Sequence, residues 1–345
     1  MGDEAALRTA ISRGQLAKVT SLLKGVTSLV ESGRSTSSLV HEALARGHVA
    51  IAALLLERGA RPTASEGASA MVLALKHEAG QLVEPLLAAL GAGAAGAVRE
   101  FVREWTPLMH AAKCGKVGAM KALLAAGADV DAKMARHGGT ALMVAVQHSQ
   151  VATVQGLLEA RASVEATDSQ GWTALQWAAQ IGPVGPVDVL LDAGASVGAP
   201  SGGSSAMMVA VENGHLDAAD RLLVAGADPE ATDAQGWTAL VIASSAGDRA
   251  IISRLLEAGA SVQARTQPSG RTAVMAAAAA GHVGGLEVLF ADKGCAGLGF
   301  GPGSGSGSGS CPGLTLRLGL GCGPRGRSGG ALRRQGMHPR ASQPE

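Results

Sequence analysis

Residues 105–132 read WTPLMHAAKCGKVGAMKALLAAGADVDA, two apolar-patterned stretches separated by a glycine and closed by a turn. The Thr106 hydroxyl suits the cap of a first helix of about eight to ten residues, and Gly115 tolerates the left-handed conformation that ends one. VGAMKALLAA at 117–126 spaces its apolar residues by three and four, which sets one face of a second helix for burial. The pattern recurs along the chain. With Thr106 as anchor, equivalent positions are Ala5, Ser38, Ser69, Thr140, Thr173, Ser205, Thr238 and Thr272, spaced by 31 to 37 residues. All nine units carry Ala five positions after the anchor, small enough for two helices to approach closely. A pair of apolar residues follows at plus seventeen and plus eighteen, Leu throughout except for Leu289 and Phe290 in the last unit. Glycine fills plus nine at Gly14, Gly47, Gly115, Gly182, Gly214, Gly247 and Gly281. A unit this small cannot bury its own apolar face, so each leans on its neighbours, and each fully buried Leu contributes roughly 1.5–3 kcal/mol.

Taken together, WTPLMHAA at 105–112, the plus-nine glycines and GADVDA at 127–132 resemble the ankyrin repeat, over about residues 3–296. The resemblance implies an all-α solenoid of helix-turn-helix units with projecting hairpin turns. Only Thr106 is followed by Pro, and only His41 fills the family's His slot, which implies a thinner side-chain network in that loop than in a consensus array. Residues 1–90 read as three degenerate units, 91–104 as an Ala/Gly-rich connection, 105–296 as six further units and 297–345 as a disordered low-complexity tail. Unit three is the weakest, with Glu78 in the glycine slot and GAGAAGAVREFVRE at 91–104 as a possible kink or subarray boundary.

The composition agrees with small interdigitating helices: 47% of the 345 residues are hydrophobic, 2% aromatic, and none is Tyr. Lys and Arg number 29 against 28 for Asp and Glu, which argues against a chain built wholesale for a polyanion or an anionic membrane. The balance is uneven, however, with about +5 in residues 297–345 and about −4 in the array. That tail is the one segment suited to RNA or an acidic surface. Its Gly/Ser/Arg bias, with no aromatics among the arginines, equally resembles translated noncoding sequence or a shifted frame. Cys114, Cys295, Cys311 and Cys322 form neither a CxxC pair nor a disulfide framework, so a reducing interior is expected, cytoplasmic and compatible with the nucleus. MGDEAALRTA is acidic where a targeting peptide is basic, and the uncharged stretches are interrupted by Gln, Pro, Gly and Ser, so no membrane span is expected.

Motifs for chemistry are weak. His41-Glu42 and His77-Glu78 lack the second His of HExxH, and Gly91, Gly93 and Gly96 spell GxGxxG after a helical stretch instead of a strand. Cys114 has only His110, one turn earlier, as a base, with no orienting third group. His48, His215 and His282 follow helix-ending glycines and read as local hydrogen-bonding residues. No catalytic residue, cofactor, metal or small-molecule substrate is therefore expected.

What remains is surface, and the resemblance marks positions one, three and four before the anchor and seven and eight after it as partner-facing. Trp105, Trp172 and Trp237 share the position before an anchor, where Trp serves either as a binding hot spot or as packing for the adjacent finger. Trp177 lies at plus four, suited to core packing at the groove edge. The other marked positions hold Arg103, Lys113, Arg136, His137, Gln147, His148, Ser169, Gln170, Gln180, Glu212, Asn213, Gln235, Ser269 and Arg271. Lys113, Arg136 and His137 precede Glu212, so the groove is expected to be more basic early and to favour a partner with an acidic end. Asp168 and Asp233, in ATDSQGWTAL and ATDAQGWTAL, are expected to shape turns. The expected function is a non-catalytic, monomeric scaffold or adaptor that binds a protein. The alternative is the regulatory or substrate-targeting part of a larger kinase- or ubiquitin-ligase-type enzyme.

Overall fold

The computed structural model describes residues 2–25, 37–198, 203–267 and 270–291. The tail from 297 and Ser269 lie outside them. Helices run in pairs: α1 Gly2–Ser12 with α2 Leu16–Gly25, α3 Ser37–Ala45 with α4 Val49–Glu57, and α5 Ala64–Lys76 with α6 Val83–Leu90, followed by a single turn, α7 Ala94–Ala97. Six further pairs follow: α8 Pro107–Lys113 and α9 Val117–Ala125, α10 Ala141–Gln147 and α11 Val151–Glu159, α12 Ala174–Ile181 and α13 Val184–Asp192. The last are α14 Ala206–Glu212 and α15 Leu216–Val224, α16 Ala239–Ala246 and α17 Arg249–Glu257, α18 Ala273–Ala280 and α19 Val283–Ala291. Among the described residues there are only isolated bridges, Val102 with Trp105, Thr167 with Thr173 and Thr232 with Thr238, and no strand. The first helix of each unit packs on its own second helix and on the first helices of its neighbours, which makes a solenoid.

The nine plus-five alanines, Ala10 to Ala277, are each at most 1% exposed, the close helix approach that their size allows. From Leu55 in unit two onward, the plus-seventeen Leu is buried in every unit. The caps sharpen the sequence reading. Thr106, Thr140, Thr173, Ser205, Thr238 and Thr272 each accept the N–H three residues on, starting first helices of seven or eight residues, at or just below the expected length. In unit three the cap is Thr63, in a capping box with Glu66. Ser69, the expected anchor, lies inside that helix, and its hydroxyl sits 3.0 Å from His41 Nε2.

First helices end in a Schellman turn: the N–H at plus ten donates to the plus-five carbonyl, as from His48 to Ala43 at 2.8 Å and from His215 to Ala210 at 2.9 Å. Pro183 lacks that N–H, and in unit six Gly182 makes the bond to Ala178 instead, at 3.0 Å. The plus-nine glycines all have positive φ, and where glycine is missing Glu78 (φ 59°) and Ser149 (φ 53°) adopt the same conformation. The second helix of unit five likewise ends at Arg161 (φ 64°), where Gly127, Gly194, Gly226 and Gly259 serve other units. Residues 91–104 contain a 3-10 turn at Gly91–Gly93 and α7, with Ala97 and Val98 fully buried. The GxGxxG therefore lies within helical turns, without the strand that a dinucleotide site needs.

Candidate protein-binding surface

Two of the projecting turns are built alike by an aspartate. Asp168 Oδ1 accepts the N–H groups of Gln170 (2.8 Å) and Trp172 (2.9 Å), and Asp233 Oδ1 accepts those of Gln235 (2.9 Å) and Trp237 (2.8 Å). The expected turn-shaping role holds in both. Asp168 Oδ2 also accepts the indole Nε1–H of Trp177 at 3.0 Å, and the Trp172 and Trp177 rings meet at 5.2 Å, tilted by 54°. Trp177 is thus fixed from the finger as well as packed on the core. Unit four differs: Val102 and Trp105 close a tight turn with Arg103 at φ 61°. Adjacent fingers are tied together by Ser169 N–H donating to the His137 carbonyl (2.9 Å) and by Lys133 Nζ donating to the Thr167 carbonyl (2.8 Å).

None of the expected contact residues that are described is buried. Arg103, Arg136, His137, His148, Ser169, Gln170, Glu212, Asn213 and Gln235 are exposed, while Trp105, Trp172, Trp177, Trp237, Lys113, Gln147, Gln180 and Arg271 are half-buried. Ser269 lies outside the described residues. Trp105, Trp172 and Trp237 all pack on the core while staying partly exposed. Some polar members are already engaged. Arg136 Nε lies 2.6 Å from Glu104 Oε1, the Asn213 amide donates to the Val209 carbonyl, and the main-chain carbonyl of Gln180 faces His215 Nε2 at 3.0 Å. Arg136 therefore adds little free positive charge to the groove, in contrast to the sequence reading. The local role expected of the histidines is seen twice, His282 Nε2 lying 3.2 Å from the Ser245 carbonyl as His215 does from Gln180.

The strongest electrostatic feature centres on His110 and Cys114. Trp105 contacts the His110 ring at 5.2 Å, and Lys113 Nζ lies 5.6 Å from the Trp105 centroid, within cation–π range. Burial, reinforced by Lys76 and Lys113, lowers the His110 pKa to about 4. Burial, with Lys113 nearby, also lowers that of His148. The Cys114 thiol is pushed up by burial despite Lys113, Lys116 and Lys76, the reverse of an activated nucleophile. The sequence reading pairs His110 with Cys114 but misses Lys76 as a member of this cluster. Lys76 occupies plus seven like Lys113, so the register of unit three carried the signal.

Among the described residues no group of three or more His, Cys, Asp or Glu side chains is arranged to hold a metal ion. No helix there is long and apolar enough to cross a membrane.

Comparison with known proteins places this geometry. The family profile for ankyrin repeats (three copies) matches residues 71–168, 132–201, 161–233 and 207–296. Among solved structures, a crystal structure of an ankyrin repeat domain from Acinetobacter baumannii AYE is 28% identical with a TM-score of 0.50. That match covers 54% of this chain and 97% of the bacterial one. No curated protein matches the chain.

Proposed function

Because this chain belongs to the ankyrin repeat family, whose arrays are generally protein-interaction modules, we propose that it is a non-catalytic scaffold or adaptor. It binds a partner protein through the finger turns and the exposed ends of the first helices, as a monomer in the cytoplasm. The observation that carries this reading is the row formed by Trp105, Trp172 and Trp237. Each is held at the same place before a helix cap, packed on the core and partly exposed. A rigidly held, half-exposed Trp loses little conformational freedom on binding and supplies a large contact area. The rigidity comes from the Asp168 and Asp233 turns and from the bonds between fingers.

The test is affinity capture from the source cells with the full chain, beside a variant in which Trp105, Trp172 and Trp237 are changed to Ala. Circular dichroism checks that the variant remains helical. A discrete protein retained by the wild type and lost by the folded variant supports the reading. Capture of nothing by either chain, or equal capture by both, overturns the role given to the tryptophans.

A further inference from the structure

Building on the scaffold reading, we propose that the ends of the first helices in units one to four form a docking stripe for an extended acidic protein segment with one carboxylate about every three residues. Each of these units presents one cation at plus seven or plus eight: Arg13, Arg46, Lys76 and Lys113, the first three exposed and Lys113 half-buried. The same positions in units six to nine hold Gln180 and Ile181, Glu212 and Asn213, Ser245 and Ala246, then Ala279 and Ala280, with no cation. Cations favour a helix C-terminus through its dipole. All these helices share that terminus, so the dipole alone does not explain why cations stop after unit four.

Their spacing selects the ligand. The first helices α1, α3, α5 and α8 pack in succession, and packed helices lie about 8–10 Å apart. A polyproline II segment advances about 3.1 Å per residue with three residues per turn, so three residues span one unit and every third side chain returns to the stripe. In a duplex each nucleic-acid strand repeats its phosphates about every 3.4 Å along the axis, more densely than one cation per unit, and Trp105 is engaged by His110 and Lys113.

The charge is also available. Glu42 lies 3.5 Å from Arg46, but among the described residues neither Lys76 nor Lys113 has a carboxylate within ion-pair distance. Lys113 lies over the Trp105 ring instead. Around Cys114 three lysines, Lys76, Lys113 and Lys116, face a single carboxylate, Glu78, a local excess of positive charge.

The experiment measures fluorescence anisotropy of the full chain with a fluorescein-labelled peptide of five Glu-Pro-Pro repeats. Controls are a peptide of identical composition with its five glutamates contiguous, five Gln-Pro-Pro repeats, and a single-stranded oligouridylate of 15 nucleotides. Two double variants are compared: Lys76→Glu with Lys113→Glu on the stripe, and Lys18→Glu with Lys121→Glu on exposed faces of the second helices. These carry the same charge change. The spaced peptide is expected to bind at least tenfold tighter than the contiguous one, to lose at least tenfold in the stripe variant and to change less than twofold in the other.

Equal binding of the two acidic peptides, equal loss in both variants, no binding of the spaced peptide, or tighter oligouridylate binding that depends on Lys76 and Lys113 would each overturn the proposal. Circular dichroism of both variants excludes unfolding as the cause of a loss. Affinity capture with the stripe variant separates the two readings. If the wild-type chain fails to bind the spaced peptide while both chains still retain a discrete protein, the acidic stripe falls and the scaffold stands.

Discussion

The side-chain amide of Gln176 ties Ser204 of the following repeat to the helix cap of its own. Its Nε2 donates to the Ser204 carbonyl at 2.7 Å, while its Oε1 accepts the Thr173 N–H at 2.8 Å. Gln176 stands at plus three, the slot where the family places His, and is 3% exposed. Replacing it with Leu leaves a buried donor and the Ser204 carbonyl unpaired. The expected cost is about 2–3 kcal/mol in urea denaturation. Gln176→Met costs less, because Met109 at the same position of unit four keeps a sulfur contact with the Thr106 N–H at 3.4 Å.

Gly182 and Gly214 occupy the same turn but different surroundings. A Cβ at Gly182 (φ 99°) would meet the His215 ring at 2.5 Å, whereas one at Gly214 (φ 74°) would meet nothing within 4 Å. Gly214→Ala therefore carries only the backbone penalty, about 1 kcal/mol. Gly182→Ala adds displacement of a ring that satisfies the Gln180 carbonyl, and its loss of stability is expected to be at least about twice as large. Thermal denaturation of the two variants side by side reads the difference.

Asp168 holds three N–H groups, two of the backbone and one indole. Asp168→Ala is expected to lower stability by about 1–2 kcal/mol and to red-shift tryptophan emission as Trp177 loses its acceptor. In Asp168→Asn one oxygen can still serve the turn, but an amide N–H then faces the indole N–H. The turn should survive while the emission still shifts, which separates the two functions of this carboxylate in one pair of spectra.

The depressed pKa of His110 has a defined consequence for pH. Folded His110 stays neutral down to about pH 4, whereas the unfolded chain takes up a proton near the ordinary value of 6.5. Between these values the unfolded state binds more protons, so this contribution is fully present above pH 6.5 and is lost as pH falls toward 4. The loss is roughly 2–3 kcal/mol. His148, shifted in the same direction by burial, adds to it. The urea midpoint should fall less from pH 7.5 to 4.5 in His110→Gln than in wild type. An NMR titration of the His110 ring with a midpoint near 6.5 would refute the account.

Much of the fold is legible in the repeat itself, because the plus-five Ala, the plus-seventeen Leu and the capping Thr or Ser each have one physical reason to recur. Unit three is misread at its cap: Ser69 keeps the register of the buried positions, but the helix extends back to Thr63, whose capping box with Glu66 is the stronger start signal. The site is only partly legible. Which surface positions face outward follows from the register, so the expected contact residues that are described do lie at least half-open. Whether a charge there is free depends on cross-repeat partners such as Glu104 for Arg136, which lie 32 residues away in the chain and carry no local signature.

The left-handed residues of unit five bear on the mechanics of the whole array. Ser149 and Arg161 hold positive φ where unit eight has Gly247 and Gly259, and a side chain in that conformation costs roughly 1–2 kcal/mol. In a solenoid whose stability is a sum over neighbours, two such penalties in one interior repeat make a seam. Under denaturant or tension the array is expected to part there into two blocks before the flanking repeats lose their structure. Glycine at both positions would weld the blocks into one cooperative length.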